Sequence, residues 1–146
     1  MKLALYAIAT FTTLAALFPI AAQTRPDPRP ERALLIGSWA QSGGPGGWVI
    51  EETPAGLRIV QTEGSATVAS FECPPYGQDC DVKVSGHKAK VSLYYNGAAL
   101  VEIETIGNDT IKRHFAVQPS GHSMNVQVTH MEGRVQTEET EFERKP

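Results

Sequence analysis

The chain has 146 residues, of which 41% are hydrophobic and 20% charged, with a formal net charge of -3 at pH 7. Acidic and basic residues are interspersed, so no basic stripe marks nucleic acid or an anionic membrane as a partner. The length left after a leader suits one folded domain, expected to be monomeric, with enough chain to bury a core.

The chain opens MKLALYAIATFTTLAALFPIAAQ, with one positive charge at Lys2, an apolar run to Ala22 softened by three threonines, and small residues at its end. This is the pattern of a secretory signal peptide over residues 1–22, cleaved before Gln23. The run is nearly long enough to span a bilayer, so a retained anchor is the alternative. Cleavage implies a periplasmic or secreted protein with no membrane insertion. Residues 23–32, QTRPDPRPER, alternate proline with charge. Their prolines favour polyproline II, which predicts a Pro-rich extended linker ahead of a single β-barrel domain at residues 33–146.

From Ala33 onward there is almost no helical period. Glycines recur at 56, 64, 86, 97, 107, 121 and 133, separated by short runs of alternating apolar and polar residues. The pattern predicts ten strands, at 36–41, 47–52, 56–62, 66–72, 81–85, 88–95, 98–105, 110–117, 123–130 and 135–144. Asn96-Gly97 has the residues of a type I′ turn joining two of them into a tight hairpin. Glu139, Glu141 and Glu143 read as a solvated edge.

The stretch FECPPYGQDCDVKV contains both cysteines, Cys73 and Cys80. An even number of thiols in a small secreted domain predicts a Cys73–Cys80 disulfide, closing a local loop that begins where Pro74-Pro75 end a strand. Redox spacing is absent, and a zinc site would need further ligands at matched spacing.

Strand alternation assigns faces. Val101 and Ile103 are expected on the buried side, with Glu102 and Glu104 on the wet side, while Ile111, Arg113, Phe115 and Val117 share a face opposite Lys112 and His114. Short connections throughout favour an all-β, antiparallel up-and-down meander closing as a barrel of about 8–10 strands, with a β-sandwich as the alternative.

At the start of the domain, LLIGSWAQ places Gly37 and Trp39 as a Gly-x-Trp entering the first strand. This resembles the opening motif of the lipocalins and related calycin barrels. The resemblance implies that Trp39 packs at the closed base of the barrel, near a basic residue from the last strand, for which FERK offers Arg144 or Lys145. The chain is also similar to a large group of small secreted bacterial proteins of this layout, most of unassigned function.

Within such a barrel, Leu57, Ile59, Val91, Leu93, Val101, Ile103, Val126 and Val128 are expected to line the interior, around a small apolar ligand or a core filled by its own side chains. Trp48 follows SGGPGG, whose glycines would let it swing over a barrel mouth, and it joins Leu57, Ile59, Leu93, Val101, Ile103 and Val126 as the expected ligand contacts. Tyr76, presented in the clipped loop, is the expected contact tip of the competing function, an envelope or extracellular interaction module touching a protein or glycan. His114, His122 and His130 are spaced by eight but do not converge, so no metal site is expected. The serine in PSGHSM lacks the elbow and partners of a nucleophile, and no catalytic residue or cofactor is assigned.

Overall fold

The computed structural model describes residues 29–146, so the predicted signal segment and the first part of the linker lie outside the described residues. A short helix, α1 (Arg29–Arg32), leads into a 3-10 turn (Ala33–Leu35). The end of the predicted extended linker is therefore helical. Pro30 sits in the first turn of α1, where a missing N–H costs nothing, and its fixed φ suits the helix.

Ten strands follow: β1 (Gly37–Gln41), β2 (Gly46–Thr53), β3 (Gly56–Glu63), β4 (Ala66–Cys73), β5 (Tyr76–Val84), β6 (His87–Asn96), β7 (Ala99–Ile106), β8 (Asp109–Val117), β9 (Ser123–His130) and β10 (Gln136–Arg144). Each pairs antiparallel with the next, and β10 returns to β1 through Trp39↔Arg144, Ala40↔Glu143 and Gln41↔Phe142. This last pairing makes the meander a closed barrel and excludes the sandwich. It also leaves β10 no free edge. Glu139, Glu141 and Glu143 lie on its solvated outer face instead.

Two local expectations are corrected. β5 begins at Tyr76 rather than Asp81, so the clipped segment is largely strand. The β6–β7 hairpin turns at Gly97-Ala98, because Asn96 pairs with Ala99, and the positive φ of 64° belongs to Gly97 alone. Glycine in the first turn position is the type II′ pattern, not type I′.

The two ends of the barrel differ. At the base, Leu35 and Trp39 are fully buried, and the Trp39 indole N–H donates to the Leu35 carbonyl at 3.1 Å. Arg144 lies 4.2 Å over the Trp39 ring, its Nε donating to the Gly121 carbonyl at 2.7 Å and Nη1 to that of Ile36 at 2.9 Å. Nη2 donates to the Leu34 carbonyl. Gly37 makes this possible: a Cβ there would collide with the Arg144 guanidinium, and its φ of 143° is rarely open to other residues. At the other end, the hairpins β1–β2, β3–β4, β5–β6, β7–β8 and β9–β10 surround a mouth that no helix of the described residues covers.

One seam in the wall is thin. β4 and β5 share the single registered pair Ala69↔Val84, near the mouth. Towards the base the two strands are joined by the Cys73–Cys80 disulfide, whose Cα atoms are 6.0 Å apart. The bridge expected to steady one loop therefore staples the wall where backbone hydrogen bonding is sparse.

Replacing Arg144 with Ala should lower stability by about 3 kcal/mol or more, because charged hydrogen bonds and a ring contact are lost together. Arg144→Lys should recover little of this, since an ammonium cannot present the same planar fork. Reducing the disulfide should cost about 2.5 kcal/mol on a loop-entropy basis. Urea unfolding midpoints measure each effect, and an unchanged midpoint for Arg144→Ala would remove it from the base.

Candidate functional site

The lower and middle barrel is filled by its own side chains. Ile50, Ile59, Val91, Leu93, Leu100, Phe115 and Met124 are fully buried in one cluster with Trp39, Leu57 and Phe71. Above them, towards the mouth, a cavity of about 350 Å³ opens. Its walls include Trp48, Arg113, Val126, Val128, Thr140 and Phe142, and Gln41, Thr62, Glu63 and His130 stand around it. The β1–β2 hairpin that borders it is steadied by the Gln41 side-chain oxygen, which accepts from the Gly46 N–H at 3.0 Å.

Trp48 is the central wall residue. It is buried within β2, its ring edge-on to Phe115 at 5.0 Å, and Arg113 lies 5.8 Å from the same ring. The glycines before it do not leave it free to swing over the mouth. Strand pairing with Trp39 and Gln61 fixes its backbone, and packing on Phe115 fixes the ring.

Beside the apolar wall lies a buried charge cluster. Arg113 Nη1 donates to Glu102 Oε1 at 2.6 Å and to Glu104 Oε2 at 3.3 Å. Glu102 is 1% exposed and Glu104 3%, with Arg113 at 8%. Glu102 Oε2 has no hydrogen-bond partner among the described residues. Burial pushes the Glu102 carboxyl above its ordinary range, and Arg113 draws it only part of the way back. Burial works against the Arg113 charge, but the two carboxylates outweigh it and raise its pKa. Two carboxyl groups and one guanidinium thus share a low-dielectric interior, where such groups need one another.

The placement of the expected ligand contacts is uneven. Trp48 and Val126 line the cavity. Ile59 and Leu93 lie in the packed core, and Leu57 is buried there while also reaching a groove at the base. Val91 belongs to the core, and Val128 lines the cavity. Val101 and Ile103 are corrected. They stand on the outer face of β7, Val101 between Tyr94 and His114 and Ile103 between Ser92 and Lys112.

The inward positions of β7 are Leu100, Glu102 and Glu104, paired with Tyr95, Leu93 and Val91 of β6. A sequence signal for this existed. In any two-residue hairpin at this point, whether turning at Asn96-Gly97 or one residue later, Val91 and Leu93 face the same way as Glu102. They cannot share a face with Val101. The Arg113 on the face of Phe115 was the second signal, an inward cation in need of a partner.

The histidines sit apart: His114 on the outer face of β8, His122 in the β8–β9 connection at the base, His130 beside the cavity. Tyr76 is 81% exposed and borders the base groove of about 830 Å³, together with Tyr94, Tyr95, Pro74, Pro75 and Arg32. Arg32 stacks 4.3 Å over the Tyr95 ring and donates to the Gly97 carbonyl at 2.9 Å, which ties the leading helix to the barrel base. No helix among the described residues is long and apolar enough to cross a membrane.

No protein-family model matches the chain, and no curated protein does. Solved structures do. A Schistosoma mansoni fatty acid binding protein in complex with arachidonic acid has a TM-score of 0.63 at 13% identity, over 80% of this chain and 99% of that one. Secretory abundant heat soluble protein 4 from Ramazzottius varieornatus gives 0.62 at 11%, over 86% and 100%. The REP1-NXSQ fatty acid transporter gives 0.58 at 17%, over 78% and 98%. At these identities the likeness is one of fold, a ten-stranded antiparallel barrel of the calycin and fatty-acid-binding type.

Ionising Glu102 inside the barrel is harder than in the unfolded chain, so the folded state holds that proton more tightly. The stability this contributes is fully present below the ordinary value of 4.5 and is lost as pH rises through the raised value. Glu102→Gln should abolish this part of the slope, so that its urea midpoint gains on the wild type from acid towards neutral pH. Parallel profiles would mean that Glu102 ionises as an ordinary carboxyl.

Proposed function

We propose that the protein is a secreted or periplasmic binding barrel that holds a small hydrophobic molecule in the cavity at its open end. The observation that carries this reading is the cavity itself: an interior space walled by Trp48, Val126, Val128 and Phe142, facing a mouth that no helix among the described residues covers, above a base sealed by Trp39 and Arg144. Its volume lies at the lower end of the range of about 300–1,000 Å³ usual for small-molecule sites. A short apolar segment fits, and each methylene it buries contributes about 0.8 kcal/mol.

Fatty acid binding and fatty acid transport in the names of two structural neighbours support a guest of this kind. The signal pattern and the disulfide support an oxidising compartment outside the cytoplasm. Trp48 and Val126 are the contacts in this reading, with Ile59 and Leu93 packing beneath them rather than touching the guest.

One observation favours a second reading, that of an interaction module with a filled lower core. Tyr76 is highly exposed on the segment clipped by Cys73–Cys80, beside a groove rich in tyrosine and proline. Exposed aromatics in such settings are frequent anchors for a protein or glycan partner.

Native mass spectrometry of gently purified protein, followed by organic extraction, separates the two. A discrete adduct, reduced or lost on Trp48→Ala with the fold intact, is the expected result. A clean apo mass that stays unchanged after incubation with lipids and other apolar compounds would reject the carrier and leave the Tyr76 loop as the functional surface.

A further inference from the structure

The cavity changes character along its depth. Trp48, Val126 and Phe142, all buried, wall its inner end. At its outer end stand Gln41, Glu63 and His130, the last residues of β1, β3 and β9, with Gln61 two residues before Glu63 on β3. Apolar within and polar at the mouth, the space has a direction. We propose, on the reading that the cavity holds a small hydrophobic guest, that this guest is an amphiphile seated tail inward. Its head stays at the mouth and is uncharged and hydroxyl-bearing, which makes the guest an alkyl polyol in chemical class.

Strand parity places the four polar residues on the inner face. Gln61 pairs with Trp48 and Glu63 with Gly46 across β2 and β3, while His130 pairs with Ile111 across β8 and β9, two residues beyond Val128. Gln41 shares the face of Trp39 on β1. Glu63 and His130 are exposed, and Gln41 and Gln61 half-buried. A head held among them keeps its contact with water, which a head at the inner end would lose.

The inner end offers a head little in return. Two polar side chains of the wall stand at that depth, Arg113 and Thr140. Arg113 Nη1 already donates to Glu102 at 2.6 Å and to Glu104 at 3.3 Å, so an anionic head drawn to the guanidinium would meet two carboxyl groups beside it. Thr140, paired with Val126, brings a single hydroxyl. An alkyl tail gives up no hydrogen bond there, and every methylene it buries against Trp48, Val126 and Phe142 adds to binding.

The mouth sets the chemistry of the head. Gln41 Oε1 is engaged by the Gly46 N–H, which leaves the amide N–H groups of Gln41 to donate. Gln61 brings an amide with donors and an acceptor, Glu63 brings acceptors, and the His130 ring brings two nitrogens. Donors and acceptors are thus mixed around the opening, and a hydroxyl answers both because it donates and accepts in one group. Glu63, the one carboxylate of the four, stands against an anionic head.

Isothermal titration of the whole folded chain with octan-1-ol, octyl β-glucoside and octanoate at neutral pH, each kept monomeric, tests the proposal. The glucoside enlarges the head of octanol and leaves its tail unchanged. It should bind about threefold or more tighter than octanol, a gain of the size of one net hydrogen bond, with octanoate the weakest of the three. In the double variant Gln61→Ala with His130→Ala the ratio of glucoside to octanol affinity should fall towards one.

A glucoside no tighter than octanol would overturn the polyol head, and one that fails to bind where octanol binds would overturn the orientation as well. In both cases the apolar cavity stands, because octanol still enters it. Octanoate binding more tightly than the glucoside would overturn the uncharged head. A glucoside preference that survives in the double variant would overturn Gln61 and His130 as its partners; should that variant not fold, His130→Ala alone, at an exposed side chain, decides the matter. Failure of all three compounds to bind the wild type would remove the guest itself, and the inference with it.

Discussion

The barrel depends on what one guanidinium does at its base. Arg144 comes from the end of β10, yet its donors reach the carbonyls of Leu34, Ile36 and Gly121, and its plane covers Trp39. Those groups belong to the leading 3-10 turn, the entry to β1 and the β8–β9 connection. One planar fork therefore joins chain segments more than a hundred residues apart in sequence. A sheet of ten strands closes when its first and last strands pair, and here that pairing spans three registered positions, so the base needs this side-chain closure in addition. Gly37 is glycine because the guanidinium occupies the place its side chain would take.

Sealing one end leaves the other to differ. Below, large aliphatic and aromatic side chains meet across the axis and fill the barrel. Near the mouth, on the side of the β4–β5 seam, the inward residues are small, Ala69, Val84 and Ala89. The inward positions of β7 and β8 include the charged Glu102, Glu104 and Arg113. Side chains of this kind do not fill an interior by volume, and the 350 Å³ cavity lies where the packed cluster gives way to Arg113 and the wall of Trp48. The seam itself relies on covalent bonding: with one registered pair between β4 and β5, the disulfide supplies at the base end what the ladder supplies elsewhere.

The buried triad shows how far alternation can be trusted. A strand with Val101 and Ile103 on one side and Glu102 and Glu104 on the other invites the apolar side inward, since burying charge is unfavourable. Yet β7 is not free to choose. The β6–β7 hairpin couples its parity to that of Val91 and Leu93, whose strand has a clear inward face, and a change of face would require a bulge in one of the two strands. Arg113, held inward by Phe115 on its own strand, supplies the cation that makes the arrangement tolerable. Neither effect is visible within the eight residues of β7 taken alone; both come from neighbours across the sheet.

By itself the sequence determined ten strands, their approximate limits except at the start of β5, the meandering order and the disulfide, while a family resemblance pointed to a base of Gly37 and Trp39 with either Arg144 or Lys145. The strands, their order and the disulfide follow from local chemistry: turn residues at short intervals, alternation within a strand, and two thiols seven positions apart. Only the tertiary structure decided which face of β7 is buried, that Trp48 is fixed in a wall rather than hinged over a mouth, and that the disulfide staples a thin seam. Those features are properties of register between strands, and register is set by the closure of the whole sheet, so no single strand contains it.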